Sequence, residues 1–173
     1  MPDRIHLIGY RGTGKTTVGR LVAAALGWSF ADADDVIEAT AGRSIASIFA
    51  AEGEAGFRDR EAAALRELTA DRLVVATGGG AVLRPENRDL LQSSGLTVWL
   101  TAPVVVIWDR LQTDPLTAAR RPNLTAAGGA EEVRAVLAAR EPLYRATAHH
   151  TVETAGRSPD EVAADILRAW AAR

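Results

Sequence analysis

The sequence predicts an α/β domain built on a parallel sheet. Three observations carry this: short apolar runs alternate with stretches of helical spacing, a glycine-rich turn joins the first run to the first helix, and a second glycine cluster closes the third run. Strands covered by helices on both faces read as continuous apolar runs rather than as alternating ones. At 173 residues the chain fits one domain, 1–173, with a hydrophobic core.

In order, Arg4 to Ile8 reads as a buried strand and Gly9 to Gly14 as the turn. Lys15 to Leu26 carries helical spacing, with Val18, Leu21, Val22 and Leu26 on one side and Gly27 as a stop. Ser29 to Ala31 is a second short strand. Asp34 to Ala39 and Ile45 to Ala51 predict short helices, and a long helix follows from Phe57 to Thr69. Leu73 to Ala76 is the third strand, Pro85 to Ser94 a helix stopped at Gly95, and Leu96 to Leu100 the fourth strand. Pro103 suits a first helical position, so Val104 to Leu111 is helical despite its β-branched run. Thr113 to Gly129 holds two prolines, two glycines and adjacent arginines without periodicity, which predicts a mobile lid at about 112–129. Glu131 to Ala148 is a helix with Pro142 as a possible kink, His150 to Val152 a fifth strand, and Ser158-Pro159 opens a last helix to Ala171.

Composition narrows the function. Cysteine is absent, which excludes disulfides, thiolate metal sites and a cysteine nucleophile. A net charge of -2 argues against a nucleic-acid partner. No apolar run reaches membrane-spanning length, and the opening residues carry no cationic stretch followed by an apolar leader, so a cytoplasmic chain is expected. Lys and Arg total 20, yet Lys15 is the one lysine. It sits inside the first glycine-rich turn, a place where a compact, mobile point charge is not replaced by arginine's rigid fork.

Gly9-Tyr10-Arg11-Gly12-Thr13-Gly14-Lys15-Thr16 fits the pattern G-x-x-x-x-G-K-[ST] at every position. Glycines let successive backbone N–H groups converge on phosphate oxygens, and the following helix adds its positive end. Lys15 reaches the β and γ phosphates in such a loop, and Thr16 holds Mg²⁺ through its hydroxyl. At average residue frequencies a chain this long gives such a match only about one time in a hundred. The loop therefore implies a nucleoside triphosphate. An Asn-Lys-x-Asp guanine motif is excluded by the lack of a second lysine, which disfavours a GTPase.

Asp32 and Asp34 follow the second strand, with Asp35 beside them, and residues two apart in extended chain face the same way, so the pair can present two carboxylates toward one space. One carboxylate can help hold Mg²⁺ directly or through water, and the other can orient an attacking hydroxyl. The bland alternative is an acidic helix start capping Val36 onward. Glu61 lies three residues beyond Arg58 and can fix its side chain, although a surface ion pair of little worth fits the same spacing. Gly78-Gly79-Gly80 after a buried strand permits close approach of a ligand to backbone, at the strand end where ligands sit in this architecture.

Assembled, these residues resemble the shikimate kinase family along nearly the whole chain. The matching elements are the Gly9–Thr16 loop, Phe30-Ala31-Asp32-Ala33-Asp34 with Ile37-Glu38, Gly53-Glu54 with Phe57-Arg58 and Glu61, Gly78-Gly79-Gly80, Arg121-Pro122, Arg140 with Pro142-Leu143-Tyr144, and Ser158-Pro159. The resemblance implies a P-loop kinase of the nucleoside monophosphate kinase type, three layers α/β/α, with a five-stranded parallel sheet in the order 2-3-1-4-5. It implies transfer of the γ-phosphoryl of ATP to the 3-hydroxyl of shikimate, on the route to chorismate and the aromatic amino acids, by a monomer using Mg²⁺. By the same resemblance Asp34 meets the substrate hydroxyls as candidate base, and Arg58 and Arg140 bind the carboxylate. Gly79 and Gly80 contact substrate, Glu61 supports Arg58, and the substrate region spans about 32–61. Gly12, Thr13, Gly14, Lys15, Thr16 and Thr17 hold the nucleotide phosphates, and Asp32 reaches Mg²⁺ through water. Arg121 approaches the phosphates from the lid, Arg110 stacks on adenine, and Arg157 and Pro159 flank the adenine's other side.

Two departures stand out. The lid reads Arg121-Pro122-Asn123-Leu124, where the family more often has Arg-Pro-Leu-Leu, and His149-His150 replaces an acidic position ahead of the last strand. Both histidines read as structural or exposed. The rival readings are a kinase of another small acid such as gluconate, a nucleoside monophosphate kinase, and a nucleotide-binding protein without catalysis. The triple glycine between Arg58 and Arg140 favours a cyclic carboxylate acceptor, and retention of Lys15, Thr16, Asp32 and Asp34 favours catalysis.

Overall fold

The computed structural model describes residues 3–113 and 128–173. Five strands, β1 (Arg4–Ile8), β2 (Ser29–Asp32), β3 (Leu73–Ala76), β4 (Leu96–Thr101) and β5 (His150–Glu153), form one parallel sheet in the order β2-β3-β1-β4-β5. That is the expected order. The central strands explain the continuous apolar runs: β1 is paired on both sides, with Ile5 opposite Val74 and Leu96, and no residue of β1 or β3 is exposed.

Helices α1 (Lys15–Leu26), α2 (Ala33–Ala41), α3 (Ile45–Glu67), α4 (Pro85–Ser93), α5 (Val104–Thr113), α6 (Gly129–Thr147) and α7 (Pro159–Ala171) complete the described fold, with a 3₁₀ turn at Ala81–Leu83. Val18, Val22 and Ala23 of α1 and Val162, Ala163 and Ile166 of α7 cover one sheet face. Leu91 of α4, and Tyr144 with the half-buried Leu137 and Leu143 of α6, pack around Ile8 and Trp99 on the other. Burial of each such side chain stabilises the fold by roughly 1.5–3 kcal/mol. α2 and α3 close over a separate cluster of Ile37, Ile45, Ile48 and Phe57. α7 begins with the expected device: the Ser158 hydroxyl accepts from the Glu161 N–H, and the Glu161 carboxylate accepts from the Ser158 N–H.

Several element ends differ from the sequence expectation by one or two residues, and three differences bear on the architecture. α2 starts at Ala33, so Asp34 lies in a helical first turn and shares no strand with Asp32. Asp32 ends β2 and caps α2, its Oδ1 accepting the Asp34 N–H at 3.0 Å. The helices expected at 45–51 and 57–69 are one run, Ile45–Glu67, bent at Gly53 (φ 69°, ψ -174°). Gly53 and Gly56 lower helix propensity there, but burial of Phe57, Ala62 and Leu65 keeps the second half helical. The 3₁₀ turn after Gly80 carries no periodic signal, being a single turn. Pro142 lies inside α6, as expected. The lid prediction, with Arg121 and Asn123, falls outside the described residues.

Candidate active site

Strand order places a crevice between the C-terminal ends of β1 and β3, where the chain leaves toward opposite sides of the sheet. A cavity of about 790 Å³ opens there, lined by Gly12, Gly14, Lys15, Thr16 and Thr17 of the loop and α1 and by Asp32, Asp34, Gly78 and Gly79 from the ends of β2 and β3 and the start of α2. Arg11, Arg20, Asp35, Thr77 and Arg110 also line it.

The phosphate loop holds its shape by close packing. A Cβ on Gly9 would lie 2.3 Å from the Leu100 carbonyl oxygen, a backbone atom that cannot yield. Thr13 Oγ1 donates to the Tyr10 carbonyl at 2.8 Å, and Lys15 Nζ donates to the Gly9 and Tyr10 carbonyls at 2.8 Å each. The ammonium is thus drawn back along the loop, over the cavity floor. No side chain caps α1 at Gly14, which suits a first turn made to be satisfied by an anion. Arg110 donates to the Gly12 carbonyl at 3.2 Å and to Thr154 Oγ1 and O at 3.0 Å each, joining the loop to the end of β5.

Thr16 Oγ1 donates to Asp32 Oδ2 at 2.7 Å. Burial pushes the Asp32 carboxyl up from its ordinary range, and the charges of Asp34 and Asp35 add to this, while the Thr16 hydrogen bond opposes it. A hydroxyl and a half-buried carboxylate are hard oxygen donors, and a dication would relieve the like-charge crowding. The pair fits Mg²⁺. Among the described residues no group of three acidic, histidine or cysteine side chains could cage a metal, which agrees with an ion that keeps water and phosphate oxygens as its other ligands.

The acceptor side comes from three separate segments. Arg58, 6% exposed, donates from Nη1 to Glu61 Oε2 at 2.6 Å and from Nη2 to Glu54 Oε1 at 3.3 Å, and lies over the Phe57 ring. Glu61 is 0% exposed, so this is no surface ion pair. A Cβ on Gly80 would fall 2.3 Å from the Arg58 guanidinium carbon. The triple glycine therefore makes room for an arginine as well as for a ligand. Arg140 Nη1 lies 3.6 Å from where a Gly79 Cβ would stand. The Tyr144 hydroxyl donates to the Gly79 carbonyl, and the Arg140 guanidinium bears on the same phenol. Burial pushes the Tyr144 phenol up to about 12, against the opposing pull of Arg140, so it remains a donor.

Sequence reasoning missed Tyr144 as the group that ties Arg140 to Gly79, and missed Arg11, Arg20 and Glu54. Arg58, Gly80 and Arg140 are near the cavity without lining it. Arg157 does not reach it: its guanidinium bonds the Glu153 and Glu161 carbonyls and pairs with Asp165 at 2.5 Å, beside Pro159 at the start of α7. Of the two histidines, His149 is structural, its Nδ1 accepting the Thr97 N–H at 3.0 Å.

Comparison with known proteins decides the family. The family described as "SKI: Shikimate kinase" matches residues 11–171. The chain belongs to the shikimate kinase family. The shikimate kinase of Rhodopirellula baltica is 48% identical over 97% of this chain and 90% of its own, and that of Oleidesulfovibrio alaskensis 47% identical over 98% of both. The structure of shikimate kinase from Acinetobacter baumannii in complex with shikimate superposes with a TM-score of 0.92 at 42% identity, covering 99% of this chain and 94% of that one. A gluconokinase from Sinorhizobium meliloti shares the fold, with a TM-score of 0.59 at 17% identity over 98% of this chain and 92% of that one. This shikimate kinase family member is thus a P-loop kinase, and its co-substrate is ATP.

Proposed function

We propose that this chain transfers the γ-phosphoryl group of ATP to the 3-hydroxyl of shikimate, giving shikimate 3-phosphate and ADP. Family membership along nearly the whole chain supports the reaction. The observation that carries the residue assignment is that one cavity is lined by Lys15 and Thr16 together with Asp34 and Gly79.

Gly12 to Thr17 and the first turn of α1 bind the phosphates, and Lys15 exchanges its carbonyl partners for phosphate oxygens. Thr16 and, through water, Asp32 hold Mg²⁺, which supplies charge neutralisation at the phosphates when bound. Arg58 and Arg140, fixed by Glu61 and Tyr144, bind the shikimate carboxylate through charge-assisted hydrogen bonds, with Gly79 and Gly80 approached at their backbone. Asp34 accepts from the 3-hydroxyl and turns its oxygen toward the phosphorus. The bond from phosphorus to the β,γ-bridging oxygen breaks, the bond to the 3-oxygen forms, and the hydroxyl proton passes to Asp34. In a loose transition state that proton leaves late, so positioning is the larger part of the Asp34 role. Arg121 serves the phosphates, Arg110 lies along the nucleotide, and Arg157 and Pro159 belong to its adenine end. A monomer in the cytoplasm suffices for this, because the described site residues come from one chain and no helix among the described residues is long and apolar enough to cross a membrane. Neither nucleic acid nor a membrane has a part in it.

The test is ADP release from Mg-ATP with shikimate, with gluconate or without acceptor. Turnover that requires shikimate is expected. Turnover with gluconate alone would overturn the acceptor assignment and leave the phosphate site standing.

A further inference from the structure

We propose that Arg11 is a cation of the phosphoryl-transfer centre, held in place by the buried carboxylate of Glu132. The inference rests on the shikimate kinase reading and deepens it.

Arg11 is the third residue of the phosphate loop and lines the cavity together with Lys15, Asp34 and Gly79. Its backbone nitrogen lies 3.5 Å from where a Gly79 Cβ would stand, the same point that Arg140 approaches at 3.6 Å. Arg11 therefore sits where the donor loop meets the acceptor glycines. Its Nη2 donates to Glu132 Oε1 at 2.9 Å, and its guanidinium flanks the Tyr10 ring at 5.7 Å. Glu132 lies in the first turn of α6 and is 1% exposed, whereas the Arg11 side chain is 17% exposed and its residue lines the cavity.

The simpler account is a staple joining α6 to the loop. Two features go beyond it. A buried ion pair is a poor staple, since packed apolar side chains of similar volume do as well or better. The pair also engages only one corner of the fork: among the described residues Nη2 is the one Arg11 nitrogen with a hydrogen-bond partner, and Nε has none. A guanidinium anchored by one corner is fixed in orientation and can offer another N–H to an anionic oxygen. The position selects which anion. Arg58 and Arg140 do not line the cavity, whereas Arg11 lines it together with Lys15 and Asp34, the groups that the proposed function gives to the phosphates and to the hydroxyl. The group reached there is the phosphoryl in transit, whose charge spreads over three equatorial oxygens. Arg11 keeps its proton throughout and adds a preorganised donor to that charge.

The test compares kcat, both KM values and the thermal midpoint in the full chain and four variants. Arg11→Met should lower kcat about 100-fold, the scale of one lost oxyanion donor, with both KM values within about threefold. Its midpoint should fall, because Glu132 is left buried without that guanidinium. Glu132→Gln should lower kcat by about tenfold, as a positioning residue. Arg11→Met/Glu132→Gln should recover most of the midpoint while kcat stays as low as in Arg11→Met. Arg11→Lys, which keeps a cation for Glu132 but no fork, should also lose about tenfold in kcat. Recovery of kcat in the double variant to within twofold of wild type would show a staple and overturn the proposal, as would a loss confined to KM for shikimate. Should the double variant not fold, an unchanged kcat in Arg11→Lys overturns it. A wild-type chain with no shikimate-dependent turnover would instead remove the parent reading, and the two failures are therefore distinct.

Discussion

On the proposed function, the donor side of the cavity is a single unbroken stretch, Gly9 to Thr17, that meets the phosphates largely through backbone groups. The acceptor side joins α3, the turn after β3 and α6, and works through side chains that hold one another: Glu61 on Arg58, Tyr144 on Arg140, and both arginines against Gly79 and Gly80. A local device depends on its glycines and on the few side chains it presents, Lys15 and Thr16 and, on the inference above, Arg11. A distributed device fails at any member, because each guanidinium is buried and keeps its orientation only through partners. The difference predicts that damage to one side should appear in a different kinetic constant from damage to the other.

The largest effect is expected from Lys15→Met, which removes the cation at the transferring phosphoryl and should lower kcat roughly 10³-fold. Steady-state ADP release checks it. A loss of less than tenfold would break the donor side's dependence on its lysine. Asp34→Asn keeps the shape but cannot accept the hydroxyl proton, and should lower kcat about 10²-fold with KM for shikimate little changed.

Gly80→Ala sharpens the comparison most. Gly80 has φ -99°, so alanine meets no backbone strain, and the three atoms nearest the added methyl all belong to the Arg58 guanidinium. Pushing Arg58 off Glu61 should raise KM for shikimate roughly tenfold or more, the scale of one charged hydrogen bond, and leave KM for ATP unchanged. An equal rise in both constants would show that the two sides do not act separately. Asp32→Asn should raise the Mg²⁺ concentration needed for half-maximal rate about tenfold, as for a group reaching a metal through water.

The smallest effect concerns the scaffold that both sides share. His6 on β1 is buried, and burial, with Arg4 nearby, lowers its pKa from 6.5 to about 3. The unfolded chain thus binds a proton that the folded chain refuses between those values, so stability is complete above pH 6.5 and is lost as the pH falls. Between pH 7 and pH 5 the loss should be about 2 kcal/mol. Denaturant titrations of the wild type and of His6→Gln at both pH values check this. An equal pH slope in the two chains would remove His6 as the cause.

Legibility in the sequence followed the same division. The Gly9–Thr16 loop was readable because its function needs a fixed local spacing. Most element bounds were readable because buried parallel strands leave unbroken apolar runs, whereas the strand order came from the family resemblance. Asp34 was placed in the right cavity by a wrong route: the strand argument failed at Ala33, where capping by Asp32 starts the helix one residue after the strand ends. Arg58 and Arg140 could not be chosen from 19 arginines by composition. Their choice came from resemblance, and their burial was invisible until the glycines that admit them were seen in place. Glu132 gave no signal, since an acidic residue in the first turn of a helix is ordinary.

By itself the sequence determined the fold class, the phosphate loop and the residues available for the chemistry. These depend on periodicity and on short-range spacing, which a linear chain displays. Only the tertiary structure decided which charges are buried, which arginine meets which carboxylate, and that Arg11 pairs with Glu132 at the cavity. Those depend on contacts between segments as far apart as residues 11 and 132, and the energy of a buried charge is set by what packs around it, not by its neighbours along the chain.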